Sequence, residues 1–262
     1  MNPTLNIAIR AARKAGKTLQ KHYEKYPLKN HEDVEIDVYA LAEQSIKNTI
    51  LKAYPKHTVT SKNSCNSLDV ENDVTWIIDP LNGEKNYKKK FPHFSISLAV
   101  RVKGRTEVAL VYDPIRNELF SAVRGEGAQL NGYRLRCNTL SNLEGTTLAT
   151  VIPVKATQAA RISSTMLSQL SLSCDALRST GSIALDLAYL ASGRIDGFFA
   201  SELSLTEFLA GELLARESGC VVCDFSGGVD HFNTGNIIAG SPRVTRAILS
   251  AVREHMKNYN VS

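Results

Sequence analysis

The sequence predicts an α/β protein built as five alternating layers, an αβαβα sandwich. Three observations predict it: two helical periodicities near the N-terminal end, a run of short strands separated by turn dipeptides over 57–132, and strands alternating with helices from 146 onward. Such layers bury a stripe of each outer helix and both faces of each sheet. A chain of 262 residues, 43% hydrophobic and 22% charged, has the apolar surface to do so. We expect a single domain over 1–262, with an antiparallel-sheet half carrying two N-terminal helices in 1–145 and a mixed α/β half in 146–262.

Asn2 before Pro3 marks a helix start, and the spacing of Leu5, Ile7, Ile9, Ala12 and Leu19 carries that helix to about Tyr23. A polar connector at 29–33 leads to a second helix over 38–53, which Tyr54-Pro55 ends. Strands are expected at 57–61, 74–78, 95–102, 106–112 and 118–123. Gly104-Arg105, residues 114–117 and Asn131-Gly132 supply the turns of an antiparallel meander. Beyond it, strands at 146–152, 195–199, 220–224 and 236–239 alternate with helices at about 158–170, 183–191 and 207–217. A last helix spans about 242–257, with Ser241 as its cap.

Composition excludes several classes. No apolar run is long enough for a membrane span, and the N-terminal segment lacks the basic-then-apolar order of a secretion signal, so a cytoplasmic location is expected. Five scattered cysteines argue for reduced thiols. Cys220 and Cys223 have a redox-type spacing, but on a strand they point to opposite faces. The six histidines show no zinc spacing. Residues 124–127 lack the following helix that a phosphate loop needs, and Ser182 reads as a helix cap, without a histidine to make it a nucleophile. Net charge is +5, a mild basic excess compatible with an RNA or acidic-protein partner. The densest basic cluster, Lys85 with Lys88, Lys89 and Lys90 around Tyr87 and Phe91, reads first as a solvated loop.

The chemistry concentrates where the 74–78 strand ends in Asp79-Pro80-Leu81-Asn82-Gly83-Glu84, since an aspartate at a strand mouth suits a hard cation. Asp79-Pro80-Leu81-x-Gly83, Gly181-Ser182-x-Ala184-Leu185-Asp186 and Ala210-Gly211-Glu212 together resemble the inositol monophosphatase family, over 6 to about 256. Within it the chain is most similar to the bacterial SuhB subgroup. That likeness rests on Arg101-Val102-Lys103-Gly104-Arg105-Thr106, Asp113-Pro114-Ile115-Arg116-Asn117-Glu118 and Asn131-Gly132-Tyr133-Arg134 with their neighbours. The resemblance implies the layered fold shared by inositol monophosphatases and fructose-1,6-bisphosphatases, magnesium-dependent hydrolysis of sugar-type phosphate monoesters, and a homodimer. For the SuhB subgroup it also implies Nus factors that act with RNA polymerase and other Nus factors on the ribosomal RNA leader, in antitermination and transcript folding.

Carried over residue by residue, the resemblance implies a degenerate site. The family's paired metal-binding glutamates fall on Lys62 and Asn63; Asp79 and the Leu81 carbonyl persist; the second aspartate is Asn82. The threonine after Gly83 is Glu84, the Trp-Asp pair is Thr206-Glu207, and the substrate-contacting glutamate is Ala200, with Glu202 two residues on. In the family's Asp-x-Val-Thr-x-x-Asp connector, here 33–39, the threonine is Ile36 and the last aspartate Tyr39. The metal positions are thus Lys62, Asp79, Leu81, Asn82 and Glu207, the phosphate or substrate positions Gly83, Glu84 and Ala200, and no residue is assigned as a catalytic group. At ~4 Å and an effective dielectric near 20, a unit charge pair is worth about 4 kcal/mol, so replacing a ligand carboxylate by Lys62 is expected to weaken or abolish Mg2+ binding.

Two local arrangements remain open: Asp79 and Glu207 paired with the Lys62 ammonium in place of a metal, or one weak magnesium held by Asp79, Asn82, Glu84 and Glu207. Three functional readings follow. The leading one is a Nus factor with little or no phosphatase activity; the second is an active magnesium-dependent inositol or sugar monophosphatase. The third is a scaffold whose vestigial pocket senses an anion under a Lys88–Lys90 lid.

Overall fold

The computed structural model of the chain describes residues 2–25, 37–62, 73–140, 142–152 and 158–259, with the side chains of 158–162 and 252–259 outside that description. Two helices open the fold, α1 (Pro3–Lys25) and α2 (Val38–Ala53). The Asn2 side chain accepts from the Thr4 and Leu5 amides, and Asp37 accepts from Ala40, so each start is capped by a short polar acceptor. The first sheet has the order β1 (Thr58–Ser61), β2 (Val74–Asn82), β3 (Ser95–Val102), β4 (Arg105–Asp113), β5 (Glu118–Val123), β6 (Gly127–Leu130) and β7 (Tyr133–Arg134). A short helix, α3 (Glu84–Lys88), stands between β2 and β3.

The expected antiparallel sheet needs one correction: β1 runs parallel to β2, and only the rest is an antiparallel meander. Parallel neighbours need a connection that crosses back along the strand, and residues 63–73 provide a link too long for a hairpin. Where the chain does turn tightly, Asn131 and Gly132 both take positive φ, at 50° and 88°, between the paired residues Leu130 and Tyr133. This is the two-residue turn that an Asn-Gly pair favours.

The second sheet has the order β11 (Val221–Cys223), β12 (Ile237–Gly240), β10 (Gly197–Ala200), β8 (Thr147–Thr150) and β9 (Ala176–Arg178). It is mixed, as expected, with β8 parallel to β9 and β10, and β12 antiparallel to β10 and β11. Between the sheets lie α5 (Ile183–Ala191) and α6 (Leu205–Glu217), and beyond the second sheet α4 (Gln158–Leu170) and α8 (Pro242–Tyr259). A one-turn helix, α7 (His231–Thr234), precedes β12.

Strand parity distributes the side chains among layers. Trp76 and Ile78 of β2 pack toward α1 and α2, whereas Ile77 between them packs toward α5 and α6. The middle helices carry apolar residues on two opposite faces because they serve two sheets: Leu185 and Leu209 face the first sheet, and Leu187 and Phe208 face the second. Met166 and Val244, from α4 and α8, close the outer face with Phe199 and Ile238. Cys220 lies in the inner of these two cores and Cys223 in the outer, so that pair is divided between opposite faces of the sheet. Cys137, Cys174, Cys220 and Cys223 are free thiols, and Cys65 lies outside the described residues. No described helix is long and apolar enough to cross a membrane.

One buried group in the middle layer has a measurable consequence. Asp186 of α5 is fully buried; one carboxylate oxygen accepts from the Thr180 hydroxyl at 2.8 Å, and the other has no partner among the described residues. Burial pushes its carboxyl up to about 7, against a smaller opposing effect of Thr180. A folded-state value above the unfolded one means that the native protein holds this proton longer, so stability is greatest below about pH 4 on this group's account and declines until about pH 7. The full swing is on the order of 4 kcal/mol. Urea unfolding of the Asp186→Asn variant, compared with the parent from pH 5 to 8, is expected to show the variant gaining relative stability as pH rises. Parallel profiles would remove Asp186 as the cause.

Candidate functional site at the end of strand β2

The site begins with an irregularity in β2. Between Asp79, paired with Ser97, and Asn82, paired with Ser95, the strand carries one extra residue. In a regular strand, positions three apart face opposite sides; the bulge turns Asp79 and Asn82 toward each other. Pro80, which cannot donate to a ladder, sits at the bulge. Gly83 then takes φ +93°, and a Cβ there would stand 3.0 Å from the His93 carbonyl oxygen and 3.2 Å from Phe94 Cα, so only glycine leads into α3 without strain.

Asp79 and Asn82 are each 3% exposed. The Asp79 carboxylate accepts from the Leu81 amide at 3.2 Å and from Asn82 Nδ2 at 2.9 Å. The orientation of the Asn82 amide is decided at its other end. Its Oδ1 accepts from the Ala184 backbone N–H at 3.1 Å and from Ser182 Oγ at 2.9 Å, and a backbone N–H can only donate. Asn82 therefore caps α5 from a different part of the chain, while Ser182, expected to cap that helix, spends its hydroxyl on Asn82 instead. What Asn82 presents to Asp79 is an NH2 group.

Burial pushes the Asp79 carboxyl up to about 6; the Asn82 and Leu81 donors hold it down, the Glu207 carboxylate raises it by repulsion, and Lys62 lowers it least. Lys62 stands exposed just beyond β1, and it makes no ion pair with Asp79 or Glu207. The expected pairing of these three is thus corrected: Asp79 is satisfied by its own strand neighbours. Glu207 is occupied too. Its Oε2 accepts from the Ser204 amide at 2.9 Å and from Ser204 Oγ at 2.7 Å, closing the start of α6. Glu84, at the start of α3, points outward into an ion pair with Lys88 at 2.5 Å.

Tyr39 of α2 faces the same space, since its phenol is pushed up first by burial and then by Asp79 and Glu43. Ala200 is fully buried in β10 opposite Ile237, and Glu202 turns away, exposed at φ 55° with its amide on Asn236. Ile36 and Asn63 lie outside the described residues. His93 is buried with its ring edge on Tyr189, centroids 5.8 Å apart.

The sequence pattern of the inositol monophosphatase family matches residues 1–257. The chain belongs to the inositol monophosphatase family. It is 51% identical to the Nus factor SuhB of Escherichia coli K12 and to that of Salmonella typhimurium LT2, over 98% of this chain and 98% of each relative. Among solved structures, the extragenic suppressor protein suhB from Bartonella henselae superimposes with a TM-score of 0.88 at 33% identity, covering 96% of this chain and 99% of that one. The inositol monophosphatase of Thermotoga maritima follows at 0.84 and 27%, covering 97% and 98%.

Enzymes of this family depend in general on magnesium, which takes a near-octahedral shell of oxygens at about 2.1 Å. The residues present do not fit a pair of such ions. Asn82 turns its amide nitrogen toward Asp79, Glu207 is engaged at its helix start, Glu84 faces solvent, and Lys62 brings an ammonium where the resemblance implies a carboxylate. Among the described residues no three His, Cys, Asp or Glu side chains gather where they could hold an ion.

A test of the Asn82 reading follows from its two ends. Asn82→Asp keeps the cap on α5 but places a second carboxylate against Asp79 and deletes a buried donor. In magnesium-free buffer at pH 8 the variant is expected to lose about 2–3 kcal/mol in urea unfolding, and to recover part of it as the shared site takes up a proton on acidification. An unchanged unfolding midpoint would show that Asn82 does not neutralise Asp79.

Proposed function

We propose that this member of the inositol monophosphatase family is a SuhB-type Nus factor. It acts in the cytoplasm with RNA polymerase and the other Nus factors on the ribosomal RNA leader, in antitermination and transcript folding, as a homodimer. The observation that carries this reading is the near-complete match, at about half identity, to proteins named Nus factor SuhB. Phosphatase activity is small or absent in it, and magnesium binds weakly or not at all. The Asn82 amide turned toward Asp79 supports that part, because a donor stands where the family's chemistry calls for a second carboxylate. The other reading, a magnesium-dependent inositol monophosphatase, is supported by the retained Asp79 and the Leu81 carbonyl.

Retention of the tagged chain by purified RNA polymerase and Nus factors, with and without a ribosomal leader RNA, tests the proposal. Retention that increases with the RNA is expected. No retention, together with rapid magnesium-dependent phosphate release from inositol 1-phosphate, would replace it with the second reading.

A further inference from the structure

Helix α1 divides into two unlike faces. Ala8, Ala11, Ala15 and Leu19 pack into the core, while Arg10, Arg13, Lys14, Lys17, Lys21 and Lys25 are all exposed. At 3.6 residues per turn these six bases fall within an arc of ~120° and extend over about 22 Å. Their spacing repeats as three and four, so each stands beside a like charge, an arrangement that destabilises an isolated helix. Among the described residues no ion pair reaches any of the six, and Glu24 is the single acid within the arc. The neighbouring helix α2 is built differently, with Lys47 paired to Glu43 at 2.5 Å and Gln44 bonded to Asn48.

The stripe continues onto α3. The Tyr87 hydroxyl donates to the Leu19 carbonyl at 2.9 Å, and the Lys90 ammonium lies 4.4 Å over the Tyr23 ring. These contacts pack α3 and Lys90 against the C-terminal half of α1, and the same segment carries the exposed Lys85, Lys89 and Phe91. We infer that the outer face of α1, extended by α3, is a docking surface for single-stranded RNA, held through its phosphate backbone. The inference rests on the proposed role at a transcript and names the surface that would meet it.

The chemistry favours RNA over an acidic protein. A protein interface takes most of its affinity from buried aromatic or aliphatic anchors within a polar rim, and the exposed face of α1 has no apolar residue between Arg10 and Lys25. A phosphate backbone needs no such anchor; it needs a row of cations whose binding releases counterions, with an occasional aromatic for a base to stack on. Phe91 is placed for the latter.

The test is fluorescence anisotropy with a labelled oligouridylate of about 20 nucleotides, titrated at several salt concentrations. For Lys14→Gln/Lys17→Gln/Lys21→Gln we expect affinity to fall by about 10–100-fold at low salt, and the slope of log affinity against log salt to become shallower by about 2. Glutamine keeps the helix propensity of lysine at these exposed positions, so the variant is expected to fold. A charge-matched control, Lys56→Gln/Arg243→Gln/Arg246→Gln, is expected to change affinity less than threefold. Equal losses in both variants, or an unchanged salt slope in the first, overturns the surface. So does displacement of the RNA by polyglutamate at comparable concentration, which would assign the stripe to an acidic protein. RNA binding through α1 without retention by polymerase sinks the Nus-factor reading alone; retention with no effect of the α1 substitutions on RNA sinks the surface alone.

Discussion

The combined variant Lys62→Glu/Asn82→Asp/Glu84→Thr is expected to bind magnesium about a thousandfold more tightly than the parent. The exposure of Lys62 sets the size of this effect. In a buried site with an effective dielectric near 20, a unit pair at ~4 Å would contribute about 4 kcal/mol; in water it contributes about 1. Lys62 faces solvent, so the smaller figure applies to it. Exchanging its ammonium for a carboxylate changes the local charge by two units against a dication, or about 4 kcal/mol, close to three decades of affinity. Asn82→Asp adds a carboxylate inside the bulge, and Glu84→Thr removes one that faces outward to Lys88 and contributes little there. Calorimetric titration with magnesium reads the result. A parent protein that already binds two ions tightly, or a combined variant that gains less than tenfold, would end the charge-deficit account. Phosphate release from inositol 1-phosphate should rise in the same variant, though less completely, because Tyr39 and Ala200 still hold positions where the resemblance implies carboxylates.

A large loss of stability is expected at Gly211, where α6 crosses α5 between the two sheets. A Cβ added there would overlap the Leu187 Cβ and stand 2.7 Å from its Cδ1, and Leu187 is fully buried. Alanine would gain about 1 kcal/mol of helix propensity over glycine, yet overpacking costs typically about 1–3 kcal/mol, and an overlap with the Leu187 Cβ belongs to the upper part of that range. Both neighbouring layers are sheets, so α5 cannot retreat without disturbing one of them. Gly211→Ala is therefore expected to be destabilised by about 1–2 kcal/mol and Gly211→Val by about 3 kcal/mol or more, measured by urea unfolding. Leu187→Ala should rescue Gly211→Val only in part, because it removes the Leu187 Cγ and Cδ1 contacts but keeps the Cβ. A Gly211→Ala variant as stable as the parent would show that the helices are not in tight contact.

The major helices and longer strands were legible because their signals are local. Pro3 and Pro55 bound α1 and α2, and Asn131-Gly132 marks its hairpin. The 183–191 segment, apolar but for Asp186 and the Tyr189 hydroxyl, marks a helix with no solvent face, where α1 has one apolar and one basic face. The short elements α3, α7, β7 and β9 carry too few residues for a periodicity, and β9 pairs with a strand about 29 residues away. The parallel placement of β1 had no local sign. In the site, the substituted positions could be named from the resemblance, and Ser204-x-x-Glu207 is a capping-box pattern that would have assigned Glu207 to its helix start.

The charge deficit that the resemblance implies is a property of the residues alone: Lys62, Asn82 and Ala200 cannot supply what carboxylates supply, whatever the fold. Where the remaining groups point is a different matter. The bulge that turns Asp79 and Asn82 together, the amide of Asn82 committed to α5 across 102 residues of chain, and the packing of α3 against the end of α1 exist only in the folded molecule. Side-chain chemistry travels with the sequence, but the direction of a hydrogen bond or the continuity of a charged face depends on neighbours that only tertiary contacts bring within reach.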